Sequence, residues 1–225
     1  MHSRDLIEQY KDYVQEWRRY FHKHPELSNE EFETTKTLAK ELESMGVEVH
    51  VDTERGIGLV GIIHGDKSGK AIALRADIDA LPVHEHNTVD YKSETEGKMH
   101  ACGHDGHMAI LLGAAKMLMS MKNRIEGDVY LAFQPAEETG AGAPDFIKFG
   151  DWYDKIDAIF GGHVWIDLPA GLISVEEGPR MAASSQITIN VKGTQGHGAQ
   201  PHQAIDAIVV ALSLIHISEP TRHAQ

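Results

Sequence analysis

The stretch Met99–Ala109, MHACGHDGHMA, contains the only cysteine of the chain and three histidines, His100, His104 and His107. Cys102 and His104 stand two residues apart, where a loop reads as passing into a helix. Thiolate and imidazole together suit zinc and similar first-row ions. A helix N-terminus lowers the pKa of a nearby thiol, which favours the thiolate that metals bind. Gly103 and Gly106 allow tight turns and close backbone approach. Read alone the motif is weak, because a buried cysteine is more often inert filler.

Two further segments carry the same kind of chemistry. In FQPAEETGAG, Phe133–Gly142, the adjacent carboxylates Glu137 and Glu138 follow an apolar run. Two such groups cannot share a pocket without a cation to offset their repulsion. One can ligate metal while the other acts as general base on a water. The ordinary alternative is a solvated acidic turn. In GGHVW, Gly161–Trp165, His163 also follows an apolar run; alone, a satisfied core histidine is the better reading. LRADIDALP adds Asp77 and Asp79. A carboxylate behind a ligating histidine is a common arrangement, so Asp79 could hold such a histidine or orient the base. The alternative is a pair of aspartates capping a turn.

These residues need elements to position them. Leu6–His22 has apolar residues at helical spacing. Ser28 and Glu31 read as a capping box opening a second helix, which Gly46 ends. VEVHVD alternates as a strand, while GLVGIIHG and AIALRADID read as buried strands. Asp105–Met121 reads as a long apolar-faced helix, and GDVYLAFQPAEE and AIFGGHVW as further strands ending in the candidate donors. Strands alternating with helices argue for an α/β sandwich, whose strand ends are where sites lie. The composition shifts near Met181–Ser185. SQITINVKG then reads as an alternating strand, followed by TQGHGAQPHQ and an apolar helix from Ala204 onward. The expected organisation is a catalytic metal-binding domain over residues 1–181, the start of a second domain over 182–211, and a tail over 212–225. LSLIHISEPTR, Leu212–Arg222, resembles the translated frame of a transposon-end adapter from sequencing libraries. A helix running on through Ile217 into a polar tail is the plainer alternative.

Composition excludes several classes. A net charge of −13 over 225 residues argues against a nucleic-acid or anionic-membrane partner. One cysteine cannot form an internal disulfide. No run of 18 apolar residues exists and the first residues lack a signal-peptide pattern, so a cytoplasmic protein is expected. A thiol enzyme with Cys102 as nucleophile would leave the Glu137–Glu138 pair without a purpose.

In order and spacing, HKHPELSNEE, LRADIDALPV, MHACGHDGHMA, FQPAEE, GGHVW and GTQGHGAQPH resemble the M20 metallopeptidase family, specifically its amidohydrolase branch. The resemblance implies a zinc-exopeptidase-like α/β/α sandwich with the start of an inserted α+β lid or dimerisation domain. It implies two divalent metal ions, zinc or manganese first and cobalt or nickel next. Cys102, His104, Glu138 and His163 would be ligands. Glu137 would be the general base, Asp79 its companion, and His197 a lid residue stabilising the oxyanion or binding the substrate carboxylate. His107 and His202 receive no chemical role, solvated or supporting positions being expected. The implied substrate is a small N-acyl amino acid, and the implied full-length state a homodimer. The family's last ligand, a histidine near the C-terminus, has no match after Ala211, so this chain is expected to be a fragment of impaired activity.

Overall fold

A computed structural model describes residues 3–179 and 187–218. The chain divides into two compact units, Met1–Gly171 and Leu172–Gln225. The expected boundary between residues 181 and 182 and most of the polar tail lie outside the described residues.

In the first unit the helices are α1 (Ser3–Lys23), α2 (Phe32–Ser44), α3 (His104–Ser120) and the short α4 (Gly142–Phe146) and α5 (Trp152–Lys155). The strands are β1 (Glu48–Val51), β2 (Leu59–His64), β3 (Ile72–Asp77), β4 (Asp128–Gln134) and β5 (Ala158–Gly161). They form one mixed sheet in the order β1-β2-β4-β3-β5. β2 runs antiparallel to both β1 and β4, while β3 is parallel to both β4 and β5.

The period-2 alternation of the strands sorts side chains onto two layers. Leu59, Ile63, Ala76, Val129, Leu131 and Phe133 pack with Leu38 and Leu42 of α2 and with Met108, Leu111, Leu112 and Ala115 of α3. Val60, Ala73, Tyr130 and Ala132 face the other way and pack with Phe146 and Trp152. Helices on both faces of the sheet make the expected α/β sandwich.

Two local expectations fail. Ser28 and Glu31 form no capping box, and Glu31 gives no side-chain cap to α2. Ser28 Oγ instead donates to Asp79 Oδ2 (2.6 Å), and Glu26 caps α2 by accepting from Thr34 N (2.7 Å) and Glu33 N (3.2 Å). Long-range partners outbid the local cap. In the second unit, residues 187–193 carry no strand. Among the described residues only the isolated bridge Thr194–Ile205 forms there, so the alternating pattern has no described strand to pair with. The apolar helix is α6 (Ala207–Ser218), which continues through the first residues of the adapter-like segment.

Candidate metal centre

Three loop tips of the first unit converge at the ends of β3, β4 and β5. β3 delivers Asp77 and Asp79, the β4 loop delivers Glu137 and Glu138, and the β5 loop delivers His163. The N-terminus of α3 adds Cys102 and His104, with Gly103 as its left-handed N-cap residue (φ 89°).

Asp79 is fully buried and organises two of these tips. Its backbone oxygen accepts from His104 Nδ1 (2.8 Å), which directs His104 Nε2 into the site. Its Oδ2 accepts from Ser28 Oγ (2.6 Å) and from the backbone N–H of Glu138 (3.0 Å). Burial works to raise the Asp79 pKa, but its bonds to His104, Ser28 and Glu138 outweigh that and hold it below the usual range. His104 meets the reverse balance. Burial opposes its charge, yet contact with Asp79 and the charges of Asp77 and Asp79 raise its pKa.

His104 Nε2 lies 3.8 Å from Glu138 Oε1 and 3.9 Å from Glu137 Oε2. Among the described residues, buried His104 Nε2 and Glu138 Oε1 have no hydrogen-bond partner. Cys102 Sγ lies 3.5 Å from His163 Nε2. Donor atoms of Cys102, His104 and His163 all fall within 4.8 Å of one another, as do those of His104, Glu137 and Glu138. Asp77, His104 and His107 form a third such group. The donor set therefore fits divalent cations: buried electron pairs are left unpaired in a cluster of carboxylates, imidazoles and a thiol.

The expected depression of the Cys102 pKa is reversed. Burial, then hydrogen bonding to Glu138 and the charges of Glu138, Glu137 and Asp77, push the thiol up to about 12. The helix N-terminus is outweighed by the carboxylates facing it. A bound cation inverts that balance, because its own charge dominates the local field.

The structure thus brings together Cys102, His104, Glu137, Glu138, His163 and Asp79. His197 belongs to the second unit, where it is exposed and its Nδ1 accepts from Ala199 N (3.2 Å). Several contributors escaped the sequence reading. Glu31 is fully buried, and its Oε1 accepts from Ala136 N (2.7 Å), the residue that turns β4 into its loop with φ 53°. Arg75 reaches Asp77 Oδ2 (2.6 Å) and Gln134 Oε1 (2.8 and 3.0 Å). His107 is buried beside Asp77. Its spacing of three from His104 was the available signal, since that spacing puts both rings on one side of a helix.

An α/β sandwich whose strand ends gather this donor set defines a domain built to bind divalent metal ions. Comparison with known proteins gives the particular family. Residues 73–223 match the model of peptidase family M20/M25/M40, and the chain belongs to that family. It is 44% identical to thermostable carboxypeptidase 2 of Saccharolobus solfataricus and 39% identical to an N-acyl-L-amino acid amidohydrolase of Geobacillus stearothermophilus. Each match covers 93% of this chain and 56% of the relative. Among solved structures it resembles a Bacillus subtilis protein described as a dinuclear metal binding peptidase of the M20 family. That match has TM-score 0.73 and 41% identity, over 76% of this chain and 48% of that one. The chain thus spans about half the length of the curated relatives it matches. No helix among the described residues is long and apolar enough to cross a membrane.

Proposed function

We propose that this chain is the metal-binding core of an amidohydrolase that cleaves N-acyl amino acids to a carboxylate and a free amino acid. The observation that carries the reading is the pair His104 Nε2 and Glu138 Oε1. The two atoms are buried, without hydrogen bonds, and face each other at 3.8 Å. Cys102, His104, Glu138 and His163 would hold two divalent ions, zinc or manganese first. When bound, the ions supply Lewis acidity that polarises an amide carbonyl and acidifies a water.

The remaining chemistry belongs to the protein. Glu137 is the more exposed of the two glutamates, at 40% against 21%, which supports it as the group that would exchange protons with water and substrate. It would take the proton of the attacking water and return it to the leaving amine. Asp79 fixes the His104 ring and the Glu138 backbone from below. His197 is proposed as the donor to the developing oxyanion, an effect worth about 3 kcal/mol for a single donor. The similarity to the Geobacillus N-acyl-L-amino acid amidohydrolase supports the N-acyl amino acid as substrate class. The acting species would be a cytoplasmic homodimer.

The test is release of amino acid from N-acetyl and N-benzoyl amino acids by the chain loaded with Zn²⁺ or Mn²⁺. Turnover should stop on chelation. Glu137→Gln should abolish turnover while metal content by elemental analysis stays unchanged, and retained turnover would remove Glu137 as the base. Stoichiometric metal with no turnover by the parent chain would favour a second reading, a metal-binding fragment without activity. Coverage of only about half of each relative supports that second reading.

A further inference from the structure

Three imidazoles crowd this centre, and their hydrogen bonds separate them. His104 Nδ1 faces the Asp79 carbonyl oxygen and His163 Nδ1 faces the Val164 carbonyl oxygen. A carbonyl only accepts, so both Nδ1 atoms carry hydrogen; His104 Nε2 then has no hydrogen-bond partner among the described residues and His163 Nε2 faces Cys102 Sγ at 3.5 Å. His107 differs. Its Nδ1 donates to Asp77 Oδ1 (2.5 Å), while its Nε2 accepts from the backbone N–H of Val164 (2.9 Å). A carboxylate accepts and an amide N–H donates, so this ring is the neutral Nδ1–H form with both nitrogens used. Although Asp77, His104 and His107 lie close enough to hold an ion, His107 has no electron pair left to give.

The residue that His107 holds is the one after His163. Val164 is also packed on the start of α3: a Cβ on Gly103 would lie 2.4 Å from Val164 Cγ2. β5 is an edge strand of four exposed residues, so its loop has little else to fix it. We propose that His107 is a positioning residue, which pins the Val164 backbone to α3 and so sets His163 Nε2 opposite Cys102. The inference rests on the proposed metal site and deepens it. Asp77 keeps His107 in the required tautomer and is itself held by Arg75 Nη1 (2.6 Å). Burial opposes the charge of Asp77, but the bond from His107 and the charges of His104 and Arg75 keep its pKa well below the usual carboxylate range. Removing His107 therefore leaves Asp77 still paired.

Two measurements on the 225-residue chain test this. Long-range ¹H–¹⁵N spectra of imidazole-labelled protein, with ¹¹³Cd²⁺ as the probe, need no variant. Coupling to cadmium is expected at Nε2 of His104 and His163, with His107 in the Nδ1–H form before and after loading. Coupling at His107 would overturn the inference and leave the metal site standing. Coupling at none of the three would remove the site and the inference with it.

The second measurement is a cycle in Co²⁺ affinity. His107→Gln should weaken binding by about 10–100-fold, the usual range for supporting groups of a metal ligand. In a His163→Ala background it should change affinity less than about twofold, because the effect passes through His163. Equal losses in both backgrounds would mean a general structural role and overturn the proposal. A His163→Ala variant with unchanged affinity would instead remove His163 from the site.

Discussion

β4 and β5 flank the same strand, both parallel to β3 and both apolar, yet their surroundings are opposite. Along β4 every residue after Asp128 is buried, because the strand lies between β2 and β3 with α3 over one face and Phe146 and Trp152 over the other. All four residues of β5 are exposed, Phe160 to 65%. An apolar sequence is thus a record of an environment that the chain in hand need not supply. The contrast continues into the loops. The β4 loop is tied by buried Glu31 and Asp79, whereas the β5 loop is docked through Val164 on His107 and Gly103.

The strongest way to break the contrast is to truncate matched side chains. Leu131→Ala, at a fully buried position of β4, should cost about 2–5 kcal/mol in urea unfolding, the range for large-to-small core changes. Phe160→Ala on β5 should stay within about 0.5 kcal/mol, as exposed positions do. Equal costs would mean that something covers β5 in solution.

A second test concerns the tie under the β4 loop. Burial first, and the charge of Asp79 after it, raise the Glu31 pKa from 4.5 to about 7 despite the N–H of Ala136. The unfolded chain sheds this proton near pH 4.5 and the folded chain only near 7. The folded state therefore binds more protons between those values, and stability falls as pH rises through them. Once fully ionised the group costs about 3 kcal/mol. Glu31→Gln keeps an oxygen for Ala136 N–H and cannot ionise. Its stability relative to the parent should rise by about that amount from pH 4.5 to pH 8. A parallel pair of stability–pH curves would mean that Glu31 titrates normally.

The same asymmetry explains what could be read in advance. Strands and long helices were legible, because hydrophobic period is local: GLVGIIHG became β2 and Asp105–Met121 became α3 within one residue at either end. The candidate donors that the structure brings together were legible as motifs at strand ends. The supports were not. Ser28 and Glu31 matched a local capping pattern, but their side chains serve Asp79 and Ala136, 51 and 105 residues away. Nothing in nearest-neighbour spacing reports partners that far along the chain. Residues 187–193 of SQITINVKG carry no strand for a related reason: alternation marks a strand only where a second strand can pair with it.

The smallest effects sharpen the picture of the β5 loop, and they come from two glycines of one motif. Gly103 has φ +89°, where a side chain is strained, and an added Cβ would meet Val164 Cγ2 at 2.4 Å. Gly106 is one turn further along α3, and there the nearest contact to an added Cβ is Val164 Cγ1 at 3.9 Å. Gly103→Ala should therefore cost about 1–3 kcal/mol through backbone strain and displacement of Val164. It should also free the Val164 amide to exchange with solvent. Gly106→Ala should be neutral, or stabilising by up to about 1 kcal/mol, since alanine is the better helix former. Urea unfolding with amide hydrogen exchange at Val164 separates the two. If both alanines behave alike, the loop carrying His163 is not seated on the first turn of α3. Its position would then have to come from β5 itself, the strand with the least around it.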